Sequence, residues 1–201
     1  MAGELQLGGS TVATHTGSGA SAVVTIDNGV KFPAGHILQT VSNFENGVVT
    51  ASSGTASTSA SNSHSGYILA VSVGITFITQ NPNILVYANS GEIDICSSRM
   101  VCRIFYNSSA ITSANINNAV LFETTYGQNQ AKVCSEIGRG INNGAESHRP
   151  GVSYQQMVQI NASAGNTYYF ALGMARQLDN NGQARVGNGA PPQIVVSEIQ
   201  S

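Results

Sequence analysis

Charge is scarce in this chain. Only 9% of its 201 residues are charged, against about 25% in an average domain. Lysine occurs only at Lys31 and Lys132. The net charge is −2 and the basic residues do not cluster, so the footprint of a nucleic-acid partner is missing. No apolar run approaches the about twenty residues that span a membrane, and no membrane partner is expected. Met1-Ala2-Gly3-Glu4 is not a basic region followed by an apolar one, so no secretory signal is read and synthesis in a cytoplasm is expected.

Cysteine is scarce too. Cys96, Cys102 and Cys134 are odd in number and fit no zinc spacing. They are expected to be small buried hydrophobes, although Cys96 and Cys102 could pair across a hairpin. Catalytic signatures are absent: there is no G-x-S-x-G, H-E-x-x-H, P-loop or dinucleotide-binding fingerprint. Gly138-Arg139-Gly140-Ile141-Asn142-Asn143-Gly144 is one residue too long for the last of these and reads as a plain loop. Glu92 and Asp94 are the only close acidic pair resembling glycosidase or cation-site chemistry, and a solvent-facing edge explains them better. No catalytic, cofactor-binding or metal-binding residue is assigned, and the chain is not expected to be an enzyme.

What the chain has is hydroxyl, amide and small side chains, which favour strands, turns and caps over helices. No stretch of ten residues carries a helical period. Val73–Asn89 contains two apolar pieces. Val73, Ile75, Phe77 and Thr79 alternate with Gly74, Thr76, Ile78 and Gln80, as in a strand with one face in a core. Asn81-Pro82-Asn83 breaks the run. Ile84-Leu85-Val86-Tyr87 then reads as a strand covered on both faces. The two are expected to form a central hairpin.

Around them lie His36–Phe44, a turn at Asn46-Gly47 with Val48-Val49-Thr50 returning, and a Ser/Thr/Ala tract over 51–65 expected to be a flexible loop or polar edge. Arg99–Tyr106 alternates. Ala119–Thr125 and Ala131–Ile137 read as a strand pair, and Val152–Asn161, Asn166–Arg176 and Pro191–Ile199 as further strands. Roughly eight to ten strands at this spacing indicate an all-β antiparallel sandwich. Residues 1–33, with Leu5, Leu7, Val12, Val23, Val24 and Ile26, have short extended pieces but little apolar bulk. They read as an N-terminal arm ahead of a head domain at 34–201.

Candidate contact residues follow from the loops and faces. Gly138–Gly151 is the most charged stretch and is expected to be a long loop presenting Arg139, Glu146, His148 and Arg149. In Tyr168-Tyr169-Phe170, alternation sends Tyr168 and Phe170 to the core and leaves Tyr169 for the surface or a subunit contact.

Phe32-Pro33-Ala34-Gly35-His36-Ile37-Leu38-Gln39, Ile75-Thr76, Asn83-Ile84-Leu85-Val86, Arg103-Ile104-Phe105, Ala164-Gly165-Asn166-Thr167-Tyr168-Tyr169-Phe170 and Ile194-Val195-Val196-Ser197-Glu198-Ile199 occur in a succession that resembles the jelly-roll heads of tailed-bacteriophage virion proteins, the fibre and tail-spike type. Gly3-Glu4-Leu5-Gln6-Leu7-Gly8-Gly9 is similar to the start of short marine-phage structural proteins. The resemblance implies a tumour-necrosis-factor-like jelly roll, a homotrimer, and a place on the virion as a surface spike, fibre head or capsid decoration contributing to host attachment. It implies contacts to other virion proteins through residues 1–33, and a host surface glycan as a further candidate partner. No collagen-like or coiled-coil repeat is present, which favours a short spike, knob or decoration over a long fibre. The alternative is a carbohydrate-binding adhesin module. A hydrolytic spike enzyme ranks below both.

Overall fold

The computed structural model describes residues 3–7, 10–16, 23–26, 34–51, 66–95, 100–122, 135–137, 147–149, 151, 153–176, 184–187 and 189–200. The chain divides into two units, Met1–His36 and Ile37–Ser201. In the first, β1 (Gly3–Leu7), β2 (Ser10–Thr16) and β3 (Val23–Ile26) pair with one another as an antiparallel sheet in that order.

The second unit is the head. Its strands are β4 (Ile37–Phe44), β5 (Val49–Ala51), β6 (Ile68–Thr76), β7 (Asn83–Asn89), β8 (Ile93–Ile95), β9 (Met100–Asn107), β10 (Val120–Leu121), β11 (Ser135–Ile137), β12 (Ser147–Arg149), β13 (Ser153–Gln159), β14 (Thr167–Arg176), β15 (Ala184–Val186) and β16 (Gln193–Ile199). One sheet has the order β13-β7-β16-β4, and a second has β12-β8-β15-β5. The second order repeats the first with each strand's continuation, so these are four long courses bent at one level. The facing sheet runs β10-β9-β14-β6, with β11 also on β9. Counting bent pairs once, and β10 with β11 once, the courses in chain order fall 1-8-3-6 in one layer and 2-7-4-5 in the other. That is the strand order of a jelly roll, and every described pairing is antiparallel.

This topology corrects four local expectations. β6 and β7 are not a hairpin. β6 pairs with β14, while β7 pairs with β13 and β16 across the sandwich. Asn46-Gly47 does not reverse the chain either, because β4 and β5 pair in sequence with β16 and β15 along one course. The bend suits this backbone: Gly91 has φ 68° and a Cβ there would run into the carbonyl of Ala190. Within 119–137 the described strands β10 and β11 pair separately with β9 and not with each other. Finally, 138–151 is not loop throughout, since β12 pairs with β8. Alternation and turn residues report each strand locally, whereas partner choice is settled by which faces can be buried together. The tract at 52–65 lies outside the described residues.

The core is filled by the inward rows of both layers: Ile75, Ile104, Phe170, Leu172 and Met174 from one, and Ile84, Val86, Ile194 and Val196 from the other. Cys102 is fully buried among them. Phe122 meets Phe170 edge-on at 5.5 Å, and Phe77 stacks on Tyr168 at 5.2 Å. Along the margin between the layers, the Gln39 and Asn43 amides of β4 donate to the carbonyls of Thr76 (2.6 Å) and Ser72 (2.8 Å) on β6. Edge carbonyls that would otherwise invite a foreign strand are thereby satisfied.

Candidate interaction face

The two outer faces of the sandwich are finished differently. On β9 and β14 the outward residues include Arg103, Phe105, Ala171, Gly173 and Ala175, and the chain covers them itself. Ile111, Ile116 and Ala119, from the β9–β10 connection, join Tyr67, Phe105, Ala171 and Ala175 in a second buried cluster. The small residues make the recess: a Cβ on Gly173 would sit 2.6 Å from the Phe105 ring and 2.8 Å from Ile116. The Asn117 side chain fastens the cover to the backbone of Tyr67, accepting from its N–H (2.9 Å) and donating to its carbonyl (3.0 Å).

Among the described residues of the head, none lies over the outer face of β13-β7-β16-β4. Strand register sorts it into four rows: Ser153, Asn89, Gln193 and Phe44; Gln155, Tyr87, Val195 and Ser42; Met157, Leu85, Ser197 and Thr40; Gln159, Asn83, Ile199 and Ile37. Not one of these residues is charged. Apolar side chains stand exposed among the amides and hydroxyls: Ile37 is 60% exposed, Met157 55%, Phe44 54% and Tyr87 37%. The polar groups are tied down locally. The hydroxyls of Tyr87 and Ser153 share a hydrogen bond of 3.1 Å, the Asn89 amide donates to Ser153 Oγ at 2.8 Å, and Thr40 and Ser197 share one of 2.8 Å. The Ser153 hydroxyl and then the Asn89 amide hold the Tyr87 phenol below its ordinary pKa of 10.0, with burial opposing. Tyr87 therefore presents a ring held in a fixed pose.

The sequence reading of Ile84-Leu85-Val86-Tyr87 as covered on both sides is half met within one chain. Ile84 and Val86 are fully buried, while Leu85 is half-buried and Tyr87 exposed.

None of the described predicted contact residues lies on these four strands. Arg139 and Glu146 lie outside the described residues. His148 and Arg149 stand on β12, in register with Asp94 and Ile93 of β8, in place of the expected loop. Tyr169 is half-buried on the opposite layer, packed over Gly74 and against the second cluster. Tyr168 and Phe170 turn to the core as expected, Phe170 completely.

Two buried charges escaped the sequence reading. Arg103 is 1% exposed, its guanidinium 5.9 Å from the centre of the Tyr67 ring. Glu198 is fully buried on the inward row of β16. Its Oε1 accepts from Thr79 N (2.7 Å), Thr79 Oγ1 (2.7 Å) and Ile78 N (3.1 Å). Its Oε2 accepts from Ile78 N (2.9 Å) and Gln39 Nε2 (2.7 Å). The carboxylate holds the crossing between the layers at 77–82. A hint lay in the sequence, since Glu198 shares the alternation parity of Ile194 and Val196. Among the described residues, no three His, Cys, Asp or Glu side chains are placed to hold a metal ion.

No family model matches the chain, and no curated protein matches it.

Proposed function

We propose that this protein is a structural component of a tailed-phage virion: a homotrimeric surface spike, fibre head or capsid decoration. Residues 1–33 attach it to other virion proteins and the head contributes to host attachment. The observation that carries this reading is a jelly roll whose described residues cover one outer face and leave the other uncharged, with apolar side chains exposed. Such a surface is costly to leave in water and is suited to assembly. The scarcity of charge throughout the chain supports the same reading. Deletion of residues 2–30 is expected to give a soluble, β-rich trimer that no longer joins the particle. An unfolded product, or one that still incorporates at normal levels, would overturn the division of labour.

A second reading, a carbohydrate-binding adhesin module, is favoured by Tyr87, whose ring is fixed beside the hydroxyl and amide groups of Ser153 and Asn89. Aromatic planes flanked by such groups suit neutral sugars. Glycan-array binding by a monomeric head, abolished by Tyr87→Ala, would establish it in place of the first.

A further inference from the structure

We infer that Tyr106 and Tyr168 form an oxidative cross-linking site, at which a haem peroxidase with hydrogen peroxide joins β9 to β14 through a dityrosine bond. This is a property of the single chain and stands apart from the assembly proposed above.

Register and ring geometry bring the pair together. Tyr106 stands opposite Phe170 on the β9–β14 ladder. Tyr168, two residues before Phe170, is therefore its diagonal neighbour on the same face. The two ring centroids are 6.4 Å apart and the ring planes 29° apart. Near-parallel rings touch at about 3.5–4 Å, so this centroid distance means a sideways slip of about 5 Å, and the rings meet rim to rim. The carbons that couple, those ortho to the hydroxyl, lie on that rim. Both rings are held in place. Phe77 stacks on Tyr168 at 5.2 Å, Phe170 stacks on Tyr106 at 6.1 Å, and Phe122 meets Tyr106 edge-on at 5.9 Å. After burial, Tyr168 is the cause that raises the Tyr106 phenol pKa, as two phenols within electrostatic reach do.

The pair is also reachable. Both tyrosines are half-buried, so an electron and a proton can leave them. Tyr106 is the last residue but one of β9 and Tyr168 the second of β14, and strand ends have the freedom to let the rings close the remaining gap. The other described tyrosines are placed differently. Tyr67 and Tyr154 are buried, Tyr169 packs on the outer side of β14, and Tyr87 stands on the outer face of the other layer. Two radicals must meet before either is quenched, and holding the partners side by side supplies the effective concentration for that.

In the reaction each phenol gives one electron to the oxidant and its proton to solvent. The two phenoxyl radicals form one carbon–carbon bond between ortho carbons. Each of those carbons then releases its hydrogen as a proton while its oxygen regains one, which restores both phenols. Two tyrosines lose two hydrogens in all, and one hydrogen peroxide becomes two waters.

The test is to treat the full chain with a haem peroxidase and hydrogen peroxide at about 1 µM protein, where a pair at millimolar effective concentration outruns collisions between chains. Dityrosine fluorescence, intact mass and peptide mapping read the product. Wild type is expected to run as a single chain in denaturing conditions, to lose two hydrogens, and to give one cross-linked peptide pair that holds Tyr106 and Tyr168. Tyr106→Phe and Tyr168→Phe keep the rings and should each lower the single-chain product about tenfold or more. Tyr87→Phe should leave it unchanged. Single-chain dityrosine that maps to other residues or persists in either variant would overturn the assignment, and so would cross-links that form only between chains. Should a variant lose its circular dichroism, the peptide map of wild type decides alone.

Discussion

Replacing Glu198 by glutamine tests whether a buried carboxylate organises the crossing at 77–82. Four donors converge on it: the N–H groups of Ile78 and Thr79, the Thr79 hydroxyl and the Gln39 amide. Glutamine keeps one carbonyl oxygen and puts an NH₂ group where the other oxygen was. If that oxygen faces Thr79, the NH₂ faces the Gln39 amide and the Ile78 N–H, which keeps only its longer 3.1 Å bond to the remaining oxygen. Gln39 must then turn over and give up its 2.6 Å bond to the Thr76 carbonyl. Hydrogen bonds to a charged group contribute about 1.5–3 kcal/mol each and neutral ones about 0.5–1.5. Three weakened bonds and one lost bond come to about 4–5 kcal/mol. Relief from burying a charge offsets part of this, leaving an expected loss of about 2–4 kcal/mol from a total of the order of 5–15. Glu198→Ala should cost more, since the Ile78 and Thr79 N–H groups would be stranded. Urea unfolding at fixed protein concentration measures the loss. Amide exchange at Ile78 and Thr79 localises it and should accelerate even where the head stays folded. A Glu198→Gln protein within about 0.5 kcal/mol of wild type, with both amides as protected as before, would refute the reasoning.

Gly173→Ala should destabilise by about 1–3 kcal/mol through overpacking, because its methyl meets both Phe105 and Ile116; a neutral or stabilising value in the same titration would mean the cover over β9 and β14 is looser than described. Alkaline stability should depend on Tyr106, whose phenol pKa is pushed above the ordinary 10.0 by burial first and by Tyr168 second. The folded state then keeps a proton that the unfolded chain has released, so this contribution is complete below pH 10.0 and declines as pH rises through the folded value. Tyr106→Phe should flatten that decline in thermal melts across the range, and an unchanged slope would count against the assignment.

Period-two alternation, turn residues and scarce charge were enough to determine an all-β antiparallel sandwich. Alternation separated Ile84 and Val86 from Leu85 and Tyr87, and Ile194 and Val196 from Val195 and Ile199, but only the structure shows which row of each strand faces inward. Strand partners were decided only by the tertiary structure. Asn81-Pro82-Asn83 and Asn46-Gly47 are turn signals in any context, yet one lies where the chain crosses between layers and the other where a course bends. Both carry the residues of a change in chain direction, and burial of whole faces decides what that change becomes. The same holds for Glu198 and Arg103. A lone charge in a strand reads as solvent-facing until its neighbours are known, because donors from residues 39, 78 and 79 are distant in sequence. The exposed outer face was read from the sequence only as an apolar strand side. Leu85 and Tyr87 read as apolar but as a covered side, and that this face carries no charge on any of four strands became apparent only when register set β13, β7, β16 and β4 side by side.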